Sequence, residues 1–404
     1  MRDTHTLVIG GGQAGLAMSY HLTRHGIEHV VLERGRIAET WRTQRWDSFT
    51  VVGPNWSVSL PGAPYAGPDP DGFMSRDDLV RFLESYARLI AAPVETGVVV
   101  QHVEPDGAGW RATTSTGEIR ARHVVLATGA YQLPSVPANS FDPSIATLHS
   151  ADYKRPAQLP DGAVLVVGSG QSGAQIAEEL ALAERGVWLA SGPCGWRPRR
   201  YRGRDNAAWR QEMGWHDVTI EAIGVGRRFG APPMATGRDG GHDLSLRTLA
   251  HLGVTVLGRF VGADGATASL AGDVEMNVRR SDEVALASCR EIDAFIREGA
   301  IEAPIEPPLD FSLPPVDSRT TLDLRREGIT SVIWATGFAH DYSWVTPPIG
   351  GDRGYPVQWR GVTDHPGLYV LGLHVMWKRN SGLINGVGGD AAYLADHIVR
   401  GPAG

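Results

Sequence analysis

The sequence predicts an α/β protein made of two parallel βαβ units, the second inserted into the domain that the first begins. Three observations predict this. A glycine-rich turn joins an apolar strand to an amphipathic helix at Gly10, the same arrangement recurs at Gly168, and two apolar strands elsewhere end in the same Ala-Thr-Gly triplet.

In the first unit, Thr6 to Ile9 reads as a strand, Gly10-Gly11-Gly12-Gln13-Ala14-Gly15 as the turn, and Leu16 to His25 as a helix stopped by Gly26. Val30 to Leu32 is the second strand, with Glu33 at its carboxyl end and Arg34 adjoining it. Gly10 makes the sharp turn, Gly12 lets backbone amides approach a pyrophosphate, and Gly15 lets the helix pack on the strand. The helix start, with Gln13 and Ala14, offers unpaired N–H groups and the positive end of its dipole to the phosphates. Glu33, about 20 residues after the turn, accepts both hydroxyls of an unphosphorylated ribose. This Rossmann-like unit is therefore predicted to hold FAD or NAD.

In the second unit, Ala163 to Val167 is the strand, Gly168-Ser169-Gly170-Gln171-Ser172-Gly173 the turn, and Ala174 to Ala183 the helix. Gly186 is its predicted stop and Val187 to Ala190 the next strand. The position matching Glu33 is Ala190-Ser191, without a carboxylate, and an arginine-rich loop follows with Arg197, Arg199, Arg200, Arg202 and Arg204. A carboxylate repels a 2′-phosphate, whereas the Ser191 hydroxyl and a guanidinium bind it through charge-assisted hydrogen bonds. The second site is predicted to hold NADPH, with Arg197 or Arg200 on the phosphate; the alternative for these arginines is a solvated basic loop. Two unlike nucleotide sites in one chain imply hydride transfer from NADPH to a flavin.

The triplets Ala127-Thr128-Gly129 and Ala335-Thr336-Gly337 close the strands His123 to Ala127 and Ser331 to Ala335; Thr-Gly can simply end a buried strand, but beside two glycine-rich turns the triplets resemble the cofactor-binding crossover segments of two-dinucleotide-binding flavoproteins. Arg76 to Ala92 reads as a helix, and Val94 to Glu104, Trp110 to Ser115 and Glu118 to Ala121 as hairpin strands, with Val103 placed at the cofactor. Residues 1–157 and 318–404 are assigned to the FAD-binding domain and 158–317 to the NADPH-binding domain, with Pro304 to Pro315 as the return linker. In the inserted domain, Leu244 to His251 and Asp282 to Glu298 read as helices and Val254 to Leu257 as a strand. Near the C-terminus, Leu368 to Gly372 is the last core strand, and Asn380 to Asp390 a glycine-rich turn entering the helix Ala391 to Val399. Trp196 to Ala235, rich in Trp, Arg, Gly and Pro, is left without a secondary-structure assignment and is placed over the active-site mouth.

Composition narrows the function. The 404 residues, 42% hydrophobic and 21% charged, suffice for two or three domains. A net charge of -7 and a pI near 6.1 leave nothing to drive nucleic-acid binding by counterion release. Two cysteines, Cys194 and Cys289, form neither a redox CxxC pair nor a zinc spacing, so no metal is expected. The first residues run directly into Leu7-Val8-Ile9, and no apolar run reaches spanning length, so a cytoplasmic protein without a membrane partner is expected. A homodimer is the default expectation for its assembly.

These residues resemble the flavin-containing monooxygenases, a class that includes the plant indole-pyruvate enzymes and, more distantly, the Baeyer-Villiger monooxygenases. Besides the two glycine motifs, the resemblance rests on His149-Ser150-Ala151-Asp152-Tyr153, where the family carries FxGxxxHxxxY; His149 and Tyr153 match, while Pro143 and Ile145 stand at the Phe and Gly positions. The resemblance implies FAD and NADPH as cofactors, and transfer of one oxygen atom from O2, carried at flavin C4a, to a small-molecule substrate. Nitrogen or sulfur oxidation is the implied chemistry; carbonyl oxidation and an NADPH oxidase or flavin reductase without oxygen transfer are the alternatives. It further implies that Asn55 hydrogen-bonds near the flavin and nicotinamide, although a Pro54-Asn55 turn reads equally well. Trp41, Arg42, Arg45 and Trp46 would form the loop over the ring. Asn385, Gly386, Val387 and Gly389 would present backbone groups to it, and His149 is expected to be structural.

Overall fold

The computed structural model describes residues 1–401 except 139, 313 and 315. Pro315, at the end of the predicted linker, and residues 402–404 thus lie outside the described residues.

The first sheet contains β1 (Arg2–Ile9), β2 (His29–Glu33), β3 (Val94–Thr96), β4 (Val100–Asp106), β5 (Gly109–Thr114) and β6 (Gly117–Leu126), in the order β3-β2-β1-β6-β5-β4. The two short strands expected on either side of Arg122 are the single strand β6. Its first half pairs antiparallel with β5, Trp110 opposite Ala121, and its second half runs parallel to β1 and to Leu368–Val370. That dual role matches its burial, alternating at first and continuous from His123 to Leu126, where it is covered on both faces. Helix α1 (Gln13–Arg24) buries Leu16, Met18 and Leu22 against Leu394 and Ile398 of the last helix, Val387–Arg400. Helix α2 (Arg76–Leu89) starts on Ser75, whose hydroxyl accepts from the Asp78 amide at 3.1 Å, with Asp77 and Asp78 at the positive end of the dipole.

The second sheet is wholly parallel. Its strands β7 (Ala146–His149), β8 (Ala163–Val167), β9 (Val187–Ala190), β10 (Thr255–Leu257) and β11 (Ile329–Trp334) lie in the order β7-β11-β8-β9-β10. Strands β7 and β11 lie on either side of the span 158–317 expected for the inserted domain, and both pair into this sheet. The prolines at 160, 304, 307 and 308 lie outside helices and strands, whereas the strand pairing is long-range. The crossovers lie side by side, since Leu133–Pro134 pairs antiparallel with Phe338–Ala339 and the Ser135 amide donates to the Gly337 carbonyl at 2.9 Å.

Several helix boundaries differ from expectation, and for two of them the packing shows why. Helix α3 (Gln171–Leu182) is ended by Glu184 in the left-handed region, φ 57°, with the Arg185 amide returning to the Leu180 carbonyl, while Gly186 packs against Ala163. Helix α4 (Val274–Glu298) begins before the predicted Asp282, because Val274, Asn277, Val278 and Ser281 are all buried against the domain.

Trp46 and Phe49 belong to the first domain by sequence, yet pack edge to face into the core of the second with Tyr153, Val166 and Ile176. This corrects the placing of Trp46 over a flavin ring. Trp46→Ala is expected to destabilise the protein by about 3–5 kcal/mol through the cavity it leaves, read as a lower midpoint in urea unfolding.

Candidate functional site: two glycine cradles

The two glycine turns are built alike. A Cβ on Gly10 would meet the Ala127 carbonyl oxygen at 2.4 Å, and one on Gly168 the Ala335 oxygen at 2.5 Å. Cβ atoms on Gly15 and Gly173 would each stand 1.8 Å from the carbonyl oxygen of the first glycine of their own turn. Around Gly12 and Gly170 the same construction meets nothing within 4 Å. These two glycines are the N-caps of α1 and α3, neither with a side-chain cap. Two helix N-termini with uncommitted amides therefore face open space, which is the condition for holding a diphosphate. The backbone carbonyls of Ala127 and Ala335 thus lie directly against the first glycine of each turn. Thr128 and Gly129 are tied by Gln132, and Thr336 donates to Ser135 across the crossovers.

The turns differ where the ribose would sit. Glu33 is buried, its two carboxylate oxygens accepting from the Gly11 amide at 2.7 Å and the Gly35 amide at 2.8 Å. Each oxygen keeps a free lone pair for a hydroxyl, while Arg34 is exposed at the rim. At the matching place Ser191 is fully buried and its hydroxyl donates to the Leu257 carbonyl, so the predicted phosphate contact through that hydroxyl is corrected. Arg200 is turned away, donating to the Gly240 and Gly241 carbonyls at 2.9 Å. Arg197 instead stacks on Trp215. An exposed cation at this end is Arg259, two residues past Leu257; its amide donates to Asp273 and its guanidinium pairs with the same carboxylate at 3.8 Å, which also accepts from Asn277 beside Ser191. Local sequence carries no signal for Arg259; its place follows from the pairing of β9 with β10.

Equivalent glutamines clamp a distant loop onto each cradle. Gln13 Nε2 donates to the Gly382 carbonyl at 2.9 Å, and Gln171 exchanges hydrogen bonds with Ala235. The first clamp draws in residues 373–386. There Asn385 and Gly389 line a cleft of about 460 Å³ with His21, Leu60, Pro61 and Gly388, while Gly386 packs on Asn380 and Val387 is buried in the core. Asn55 is buried; its Nδ2 donates to the Asp69 carbonyl at 2.8 Å while Oδ1 has no partner. The Pro54-Asn55 turn is thus formed, and Asn55 keeps an unpartnered acceptor in Oδ1. Val103 is corrected: it is a core residue whose amide bonds to the Trp344 carbonyl, whereas Val98, bonded to the Glu33 carbonyl at 3.0 Å, flanks the ribose end. Arg42 pairs with Glu84 of α2. Arg45 is buried among Trp41, Phe49 and Tyr131, its Cζ 4.9–5.7 Å from their ring centres, and burial lowers its pKa.

Other polar groups are structural. His149 Nε2 lies 3.0 Å from the Gly337 carbonyl, its pKa lowered by burial, and the Tyr153 hydroxyl donates to Glu179 at 2.9 Å. Cys194 and Cys289 are buried free thiols whose pKa burial raises, so neither is a reactive thiolate. Among the described residues no group of three His, Cys, Asp or Glu side chains could hold a metal, and no helix is long and apolar enough to cross a membrane.

Paired cradles of this kind, one acidic and one not, define a two-dinucleotide-binding oxidoreductase. The family model for pyridine nucleotide-disulphide oxidoreductases matches residues 7–202. The CzcO-like oxidoreductase of Geobacillus kaustophilus is 34% identical over 399 residues, covering 98% of each chain. The protein belongs to this family of CzcO-like oxidoreductases. Indole-3-pyruvate monooxygenase YUCCA1 of rice is 32% identical over 180 residues, 43% of this chain and 44% of its own. A flavin-containing monooxygenase from Stenotrophomonas maltophilia shares the fold, with a TM-score of 0.62 at 22% identity over 99% of each chain.

One titratable group at this site escaped the sequence. Asp390, in the first turn of the last helix, is buried with Oδ2 unpartnered, and burial pushes its pKa up to about 6 despite Ser381, Arg360 and Lys378 nearby. An acid whose pKa rises on folding stabilises the fold below its unfolded value, near 3.8, and loses that contribution as pH climbs through about 6. Asp390→Asn is therefore expected to be the more stable form at pH 8, by on the order of 3 kcal/mol, with the difference gone at pH 3.5. Urea unfolding at the two pH values measures it.

Proposed function

We propose that the protein is an NADPH- and O2-dependent FAD monooxygenase that places one oxygen atom on a nitrogen or sulfur of a small-molecule substrate. The observation that carries this reading is the pair of matching cradles that differ at one position, Glu33 against Ala190-Ser191. Supporting it are the likeness to YUCCA1 over the aligned region and the fold shared with a flavin-containing monooxygenase. The balance is NADPH, a proton, O2 and substrate giving NADP⁺, water and oxygenated substrate. A bound flavin would accept the hydride and activate the oxygen.

The chain supplies position and exclusion of water. The amides of Gly12, Gln13, Ala14 and Gly15 would hold the first diphosphate and those of Gly170, Gln171, Ser172 and Gly173 the second. Glu33 would take the ribose of the first nucleotide. The unpaired Oδ1 atoms of Asn55 and Asn385 are acceptors for N–H groups at the ring. Buried acceptors without partners are costly, and a ligand that donates to them removes that cost. No acid, base or metal triad is needed, because the difficult chemistry resides in the cofactor.

The glycines separate the two halves of the reading. Gly15→Ala is expected to purify colourless, whereas Gly173→Ala should remain yellow and lose anaerobic bleaching by NADPH in stopped-flow absorbance. A colourless wild-type protein that refuses added FAD would overturn the proposal. Arg259, rather than Arg197 or Arg200, is assigned to the 2′-phosphate. Arg259→Ala should raise the KM for NADPH about tenfold or more and leave that for NADH unchanged; equal effects on both would reject the assignment.

A further inference from the structure

Residues 196–235 bridge the two cradles and carry positive charge for which the reaction above has no use. On one side Trp196 pairs with Met234, next to the Ala235 that Gln171 holds. On the other, the Ile220 amide donates to the Trp377 carbonyl at 2.7 Å and the Arg379 amide to the Val218 carbonyl at 3.2 Å, in the segment that Gln13 holds through Gly382. The contacts thus run unbroken from one cradle to the other.

Midway lies the indole of Trp215. The guanidinium carbons of Arg197, Arg379 and Arg210 stand 4.5, 4.2 and 5.6 Å from its ring centre. Arg210 is paired with Glu291 of α4 and bonded to Ser288, and Lys378 is paired with Asp217 at 2.8 Å. Glu291 and Asp217 are the acids beside the cluster, and both are already engaged. The Arg197 guanidinium is mostly buried and makes neither hydrogen bond nor ion pair with the described residues; its Nε has no partner. Stacking on an indole offsets part of the desolvation of a cation, while like charges nearby add to it. Such a fork is satisfied by a planar, bidentate anion.

We propose that Arg197, backed by Trp215 and Arg379, is a subsite for the carboxylate of the acceptor substrate, so that the enzyme oxygenates an organic acid. This rests on the monooxygenase reading for the word acceptor. The ribose end of the second cradle is separated from the cluster. Helix α4 measures the distance: Asn277, near its start, touches Ser191 at the ribose end, whereas Ser288 and Glu291 reach the arginines roughly 16 to 21 Å further along at about 1.5 Å per residue. Trp377 and Trp359, edge to face at 5.2 Å, lie on the same side and suit an aromatic acid.

The test is calorimetric titration of the purified full-length protein, with its cofactor as isolated, using phenylacetate and its neutral counterpart phenylacetamide. Phenylacetate is expected to bind at least about tenfold more tightly than the amide, to lose that advantage in Arg197→Met, and to keep part of it in Arg197→Lys, with NADP⁺ affinity unchanged. Arg197→Lys keeps the charge and loses the planar fork, so a weaker acid in that variant at an unaltered melting temperature separates recognition from misfolding. Equal binding of acid and amide by the wild type, or no binding of either, would overturn the subsite. So would a loss of NADP⁺ affinity in Arg197→Met, which would give the cluster to a coenzyme phosphate. Because heat of binding is read without turnover, failure of the subsite is distinct from failure of NADPH to bleach the flavin.

Discussion

In both domains the backbone of the helix must approach the backbone of the turn more closely than any Cβ permits. Gly15 over the Gly10 carbonyl, and Gly173 over that of Gly168, allow it. That contact sets the angle at which α1 and α3 leave their sheets, and so where their uncapped amides point. An anion at that point is stabilised by several aligned N–H groups and by the helix dipole at once. The Ala-Thr-Gly ends of β6 and β11 close on the same turns through Gly10 and Gly168, so the cradle and the crossover between domains form one mechanical unit.

The rest of the molecule ties the two cradles to each other. The crossover strands are paired with each other, Trp46 and Phe49 from one domain are buried in the core of the other, and Gln13 and Gln171 each draw a distant loop against the start of their own helix. Those loops meet at Val218 and Arg379. A rigid frame of this sort suits chemistry in which two rings must be held in register and kept from water, since misplacement by about 1 Å costs rate heavily.

Charge is distributed unevenly across this frame. The acid Glu33 is satisfied by backbone amides, Arg199 by Asp205 and backbone carbonyls, and most exposed ions by neighbours. Arg197 and Arg360 are among the exceptions, each stacked on an indole with its Nε unpartnered. Aromatic faces tolerate a guanidinium without neutralising it, which leaves its hydrogen-bonding fork available to a ligand.

The cradles were legible in the sequence because every part of them is local: a strand, three glycines, a helix and, in the first, an acid one strand further on. The repeated Ala-Thr-Gly marked the crossovers for the same reason. What depends on which strands become neighbours was not legible. Strands β7 and β11 pair in the second sheet from outside the span expected for the inserted domain, and the pairing of β9 with β10 goes with a buried Ser191 and with Arg259 two residues past Leu257. Val103 was displaced by Val98, and Trp46 became core, because burial is decided by the partner element rather than by the residue. Side-chain direction, desolvation and the company of other charges are properties of the packed chain, and they alone separated the arginines that share one short stretch of sequence.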